Sequence, residues 1–300
     1  MIKRSGIFLI ALAFALAQGL LVTPTALASV PNTGSPEWDD INKTLNDQSL
    51  SLGWKDASGN SIVYYHLHFG TEADAVKLLQ RAREQQVSIL DRKSLARFSA
   101  FYGKEFALRE LIAGGVSPNA VPGEESLLMV AASQEQLGVM RLLIASGADV
   151  NYKFRLATLP NALLDAATSA LRAGKYNAAR LLFSAGYNPT KGGATQTREL
   201  FFAAIAGGAS TAVMYMLDHY NVKDAVSSDG ETPLTFAIQA RTTDAVISEL
   251  LLRGADPCKR NKENESAEDV LNRVNRDKKS YDAQFVFLHD RLICQQKKPQ

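Results

Sequence analysis

The sequence predicts an all-α fold, a solenoid of about six helix–turn–helix repeats with capping elements at both ends. Three observations lead to it. The ending Gly147-Ala148-Asp149 recurs as Gly254-Ala255-Asp256, and more loosely as Gly115-Val116-Ser117-Pro118-Asn119 and Gly186-Tyr187-Asn188-Pro189. The glycines are separated by 32, 39 and 68 residues, the last step being two units of 34 with a degenerate copy ending at Tyr220-Asn221. Each ending follows an apolar cluster such as Leu142-Leu143-Ile144 or Leu250-Leu251-Leu252, and each cluster follows a small-residue patch such as Ala131-Ala132 or Ala203-Ala204. Self-similarity at a fixed period marks units that bury their apolar faces only against one another.

The copies run Asp56 to Ile89, Asp91 to Asn119, Val121 to Asn151, Thr158 to Pro189, Thr195 to Lys223 and Ser227 to Cys258. The start signal Thr232-Pro233-Leu234 survives whole once, and Ser126-Leu127-Leu128 takes its place in the third copy. Thr232 is suited to cap a helix, and Pro233 to the first helical position, where its missing N–H costs nothing. Alanines in the first helix let the neighbouring copy approach, and leucines of the second fill the core. Gly254 ends the second helix in a left-handed conformation, a role expected of Asn221 where glycine is absent. Gly103, Gly174 and Gly207 stand at the turn between paired helices. About four extra residues in the fourth copy are assigned to Ala167–Gly174, lengthening its first helix by a turn. Glu263 to Cys294 reads as a cap, because Ser266-Ala267-Glu268-Asp269 sets acids where inner copies set apolar residues. Residues 29–55 read as a linker and capping helix: Ser35-Pro36 forms a start signal, and Trp38, Ile41 and Leu45 follow at helical spacing. Val30 to Ser35 reads as a tether and residues 295–300 as a tail.

On these motifs the chain resembles the ankyrin-repeat family over about residues 56 to 294. The motifs are strongest in Ser126 to Asn151 and Gly230 to Asp256. The resemblance implies stacked helical hairpins with fingers projecting from one edge, and a binding function. The histidine that follows Thr-Pro-Leu in the family is Thr235 here, and Met129 in the other strong copy. In such a stack Cys258 and Cys294 are one layer apart, which predicts a bridge pinning the C-terminal cap. The even cysteine count permits it, two unpaired and partly buried thiols being the alternative.

The first residues read as an export signal. Lys3 and Arg4 precede an apolar run from Ile7 to Ala17, and Ala26-Leu27-Ala28 supplies a small-x-small cleavage pattern, so 1–28 is expected to be removed. Gln18, Gly19 and Pro24 argue against an uncleaved anchor. The expected location is periplasmic or secreted, an oxidising compartment. Apolar content is 46% and charged content 21%, as in globular proteins, and no later segment is long and apolar enough to span a bilayer. The formal net charge of +2 carries no argument for nucleic acid. The basic run Lys259-Arg260-Asn261-Lys262 and the pair Lys297-Lys298 lack flanking aromatics for stacking and read as solubilising loops.

No catalytic constellation is visible. His66 and His68 lie about 200° apart around a predicted helix and do not converge on a metal, and two cysteines 36 residues apart without companions make no zinc site. G-x-S-x-G, phosphate-loop and G-x-G-x-x-G patterns are absent. No cofactor, metal or enzymatic activity is expected. A surface for a protein partner remains. Tyr152, Phe154 and Arg155 sit on a finger after Asn151, and Phe101 and Tyr102 end a first helix, where the resemblance implies partner-facing side chains. His68 and Phe69 match them one copy earlier, and Gln134 one copy later. Packing between neighbouring copies is the alternative role for the aromatics. The expectation is therefore a monomeric, non-enzymatic module binding a protein through its concave face. A secreted effector acting on a host protein is the second reading, and a hydrolase with an unrecognised site the third.

Overall fold

The computed structural model describes residues 52, 60–89, 91–120, 123–155, 163–275 and 291–292. The expected export signal, the N-terminal capping helix, the tail and Cys294 lie outside them. The described residues form thirteen α-helices. Paired along the chain, they are α1 (Ile62–His68) with α2 (Glu72–Glu84), α3 (Arg92–Tyr102) with α4 (Glu105–Ala113), and α5 (Leu127–Ser133) with α6 (Leu137–Ala145). Then come α7 (Ala166–Arg172) with α8 (Tyr176–Ser184), α9 (Gly193–Ala206) with α10 (Ser210–His219), and α11 (Pro233–Gln239) with α12 (Asp244–Leu252). The helix α13 (Ala267–Asn275) opens the C-terminal piece. The predicted helical-repeat fold is the one observed, with one small addition: β1 (Phe154–Arg155) and β2 (Leu163–Leu164) pair as a two-stranded ribbon.

The chain divides into two compact units. The first comprises residues 1–131, 136–149 and 154–163, and the second 132–135, 150–153 and 164–300. Within the first, α1 packs on α2 and α3, α3 on α4, and the second helices α2, α4 and α6 on one another in turn. Within the second, first helices pack in the order α7, α9, α11, α13, and α10 packs on α12. The residue types explain this. A first helix lies between two neighbours and its own partner, so it must be small or apolar nearly all round. In α7 every residue from Ala166 to Leu171 is buried, and in α11 every one from Pro233 to Ile238. The second helices bury one stripe each, such as Ala178, Ala179 and Leu182 in α8 and Val246, Ile247 and Leu250 in α12.

Capping sets the helix starts. Thr232 Oγ1 accepts from the Thr235 N–H at 3.2 Å, and the Thr232 N–H donates to Thr235 Oγ1 at 2.8 Å. Thr235, which stands where the family carries histidine, thus completes a reciprocal capping box. Ser266 and Asp269 form another at the head of α13. At the other end of the hairpins, Gly115, Gly147, Gly186 and Gly254 all take positive φ, between 81° and 98°, as their recurrence predicts.

Two expectations need correction. The extra residues of the fourth copy do not lengthen its first helix: α7 has 7 residues, as α5 and α11 do. The added length lies in the finger between Asn151 and Asp165, where the ribbon sits, and α9, with 14 residues, is the long first helix. Asn221 does not take a left-handed cap; α10 ends at Tyr220 with extended backbone (φ −135°, ψ 146°). In the turn after α9 the positive φ belongs to Gly208, at 71°, while Gly207 is helical at −73°.

Gly207 is required for a different reason. A Cβ there would stand 1.9 Å from the Leu171 carbonyl oxygen, and one on Gly174 would stand 2.6 Å from the Gly207 carbonyl oxygen. Backbone meets backbone at this seam between neighbouring turns, so nothing can swing aside. Gly138, inside α6, differs: its added methyl would meet only the tip of the Glu105 side chain, at 2.5 Å. In urea unfolding, Gly207→Ala is expected to cost about 3 kcal/mol or more through overpacking. Gly138→Ala should be neutral or stabilising by up to about 1 kcal/mol, the helical gain of alanine over glycine. Equal effects would contradict the seam.

Candidate protein-binding surface

The end of the first unit carries a set of rings. Ile62, Val63, His66 and Leu67 of α1 are buried, which leaves Tyr64 and His68 together on another face at helical spacing of four. In α3, Phe98 and Tyr102 repeat the spacing. Neighbouring first helices bring the two pairs together. Ring centroids are 4.2 Å apart for Tyr64 and His68, 3.9 Å for His68 and Phe98, and 4.4 Å for Phe98 and Tyr102. Phe101 lies edge-on to Tyr102 at 4.8 Å, and Phe69 lies 5.6 Å from His68 and 6.0 Å from Tyr65. Each such pair contributes about 0.5–1.5 kcal/mol beyond area burial. Burial grades outward through the group: Phe98 is buried and His68 half-buried, while Phe69 and Tyr102 are 37% and 48% exposed. Phe106, at the head of α4, is 64% exposed.

Burial sets the charge of the cluster. Desolvation, helped by the positive charge of Lys104, holds the His68 imidazole down at about 4. Desolvation also lowers His66, against the opposing pull of Asp74. His68 is therefore a neutral ring at neutral pH.

The structure thus gathers four of the predicted residues, His68, Phe69, Phe101 and Tyr102, around one ring cluster. Phe69, Tyr102 and Gln134 share a register, three residues before α2, α4 and α6 begin. Gln134 is half-buried and donates to Ser133 Oγ at 3.2 Å. The next glutamine-bearing position, Gln136, donates to the Phe101 carbonyl at 3.0 Å and holds the end of α3. Tyr152 and Phe154 are half-buried in the finger, and nothing is described of the Arg155 side chain. Tyr64, Phe98 and Phe106 were not foreseen; the shared spacing of 64/68 and 98/102 is the signal that reveals the first two.

The ankyrin repeat family matches residues 124–154 and 229–262, the two copies whose glycine endings and capped first helices are most complete. Residues 124–154 and 229–262 are ankyrin repeats. Three solved structures are similar to this chain. The human ASB11 ankyrin repeat domain is 17% identical over 85% of this chain and 97% of its own, with a TM-score of 0.48. The ankyrin repeat domain of Bcl-3, a member of the IkappaB protein family, is 17% identical over 71% and 94%, at 0.49. A chain in the complex of the predatory endopeptidase Bd0816 from Bdellovibrio bacteriovorus with immunity protein Bd3460 is 20% identical over 66% and 96%, at 0.50. At these identities the likeness concerns fold. No curated protein matches the chain. Ankyrin repeats are protein-interaction modules, and among the described residues no helix is long and apolar enough to cross a membrane.

The second unit builds a polar network. Tyr187 Oη donates to Asp165 Oδ2 at 2.5 Å, while Asp165 Oδ1 accepts from the Thr168 N–H at 2.7 Å and caps α7. Gln196 Nε2 donates to Tyr187 Oη at 2.6 Å, and Lys153 Nζ donates to Gln196 Oε1 at 2.7 Å. Burial pushes the Tyr187 phenol far above its ordinary value, and the Asp165 carboxylate adds to this. Both residues are buried, so the network holds the finger to its helix.

The His68 environment gives a pH test. Its folded value lies below the unfolded 6.5, so between about 4 and 6.5 the unfolded chain binds the extra proton. The contribution of the neutral ring is full above 6.5, falls as the pH falls through that window, and is gone below about 4. The His68 ring proton followed by NMR should titrate near 4. A midpoint at 6.5 would mean that the ring is solvated and the cluster loose.

Proposed function

We propose that this chain is an exported, non-enzymatic interaction module that binds a protein through the concave face of its fingers and first helices. The ring cluster of α1 and α3 is the observation that carries the reading. Its inner rings are fixed by mutual packing, and its outer members, Tyr102 and Phe69, are exposed. Anchors already held in place lose little freedom on binding, and exposed aromatics on a rigid support are the residue types that dominate interface energies. Tyr152, Phe154, Arg155 and Gln134 are further candidate contacts for the partner. The signal-like segment 1–28, with its Ala-Leu-Ala ending, supports export to the periplasm or beyond.

The role of the bound partner follows from the same reading: this module neutralises, shields or scaffolds an exported protein. The complex of an endopeptidase with its immunity protein, in which one chain has this fold, favours neutralisation of an enzyme. A bridge between Cys258 and Cys294, the two cysteines of the chain, suits that compartment and would pin the C-terminal cap.

Capture from native periplasm with the mature chain as bait tests the face. Tyr102→Ala and Phe69→Ala should each reduce the captured partner at least tenfold, about 1.4 kcal/mol, while the chain keeps its helical circular dichroism and its melting temperature falls by only a few degrees. Tyr152→Ala and Arg155→Ala should weaken capture less. Capture unaffected by all four substitutions would remove the assignment. Unreduced intact mass settles the cysteines: it should fall two hydrogens below that of the reduced chain, and an unchanged mass would exclude the bridge.

A further inference from the structure

Three large apolar side chains of the first unit are exposed among the described residues: Phe69, Tyr102 and Phe106. All three stand at the turns that join paired helices in two consecutive copies. Phe69 follows α1, Tyr102 ends α3 and Phe106 is the second residue of α4. The two turns are fastened together. Glu72 Oε1, at the head of α2, accepts from the Ala107 N–H of α4 at 3.1 Å, and the His68 ring stands 5.6 Å from Phe69 and 6.4 Å from Tyr102. Between Tyr102 and Phe106 the chain carries two charges, Lys104 and Glu105. Glu105 is answered by Arg109 Nη2 at 3.0 Å, and at the head of α2 Asp74 is answered by Lys77 at 3.3 Å. Lys104 has no such answer: it is half-buried, and its ammonium makes no ion pair or hydrogen bond among the described residues. Its backbone is fixed, the N–H donating to the Ser99 carbonyl at 2.8 Å and the carbonyl accepting from the Leu108 N–H at 3.0 Å.

A solvated ammonium gains little from pairing. Its place among exposed rings changes that. A partner that covers Tyr102 and Phe106 also takes water from Lys104, which stands between them, and a charge stripped of water without an acceptor is costly. We propose that Lys104 sets the specificity of this turn edge: it admits a partner surface in which apolar side chains surround one acidic side chain, and rejects one that is apolar throughout. The rings supply affinity. The ammonium supplies discrimination, because a wrong partner loses more by leaving it unpaired than the right one gains by pairing it. A lysine suits this task as a compact charge with three donors on a flexible stem, able to reach a single carboxylate. The inference rests on the reading of the chain as an interaction module and adds the chemistry of what it recognises.

The probe is an acetylated, amidated hexapeptide alternating leucine and glutamate, titrated into the chain at low salt and followed by the NMR ring signals of Tyr102, Phe106 and His68. Two comparison peptides replace every glutamate by glutamine, or every leucine by serine. The leucine–glutamate peptide should shift these signals saturably, and each comparison peptide should bind about tenfold more weakly or worse. Phe106→Ala should weaken the first peptide about fivefold or more. Lys104→Met should erase the preference for glutamate over glutamine, and Lys104→Arg should keep it. All three substitutions should leave the helical circular dichroism unchanged. A comparison peptide that binds as tightly as the first, a preference that survives Lys104→Met, or the absence of any saturable shift would overturn the proposal. Its failure differs from that of the module. Capture lost in Tyr102→Ala but unchanged in Lys104→Met, with no peptide binding, removes the discrimination and keeps the module. Peptide binding that depends on Lys104, with capture unaffected by Tyr102→Ala and Phe69→Ala, does the reverse.

Discussion

How closely one helical hairpin lets the next approach governs this protein. Each first helix must sit against its own partner and against neighbours on both sides. Only small side chains permit that, and at the α7–α9 turns only bare backbone does, where Gly174 faces Gly207. The alanines of α7 and α9 continue the seam along the helices. Close contact matters because dispersion falls off steeply with distance, and a repeat has no private core to fall back on. The leucines of the second helices fill space that this approach defines; they do not set the spacing.

The ring cluster of the first unit is a product of the same spacing. Its shortest contact, 3.9 Å between His68 and Phe98, joins two successive first helices. Were those helices held further apart by larger residues than Ala96, Ser99 and Ala100, the rings would separate and Tyr102 would hang from a single helix as a mobile side chain. Packing therefore turns scattered aromatics into one surface. The neutrality of His68 belongs to this arrangement, since a charged imidazole between two phenyl-type faces would have to keep its water.

Much of this was legible in the amino-acid order. The glycine endings, the alanine patches and the Thr232-Pro233 start each have a local physical cause, so they mark helix ends wherever they occur. What was misread depends on neighbours. The surplus of the fourth copy was assigned to Ala167–Gly174; Gly174 nonetheless closes the turn at the usual place, and the surplus falls in the finger. Asn221 can adopt a left-handed cap, but the chain leaves α10 in an extended conformation one residue earlier. Phe101 and Tyr102 stood out by position, whereas Tyr64 and Phe98 acquire meaning only when two copies are set side by side.

Tyr187 bears on how such a chain could have evolved. It occupies the place of Ala148 and Ala255, small residues that any copy could exchange with another. Its phenol instead requires the acid at the head of its own copy, Asp165, and the amide of Gln196 from the copy that follows. Duplication, deletion or reshuffling at this point would strand a buried hydroxyl or a buried carboxylate. The middle of the array is thereby locked in order, while the more generic copies around Ala148 and Ala255 remain free to be gained or lost.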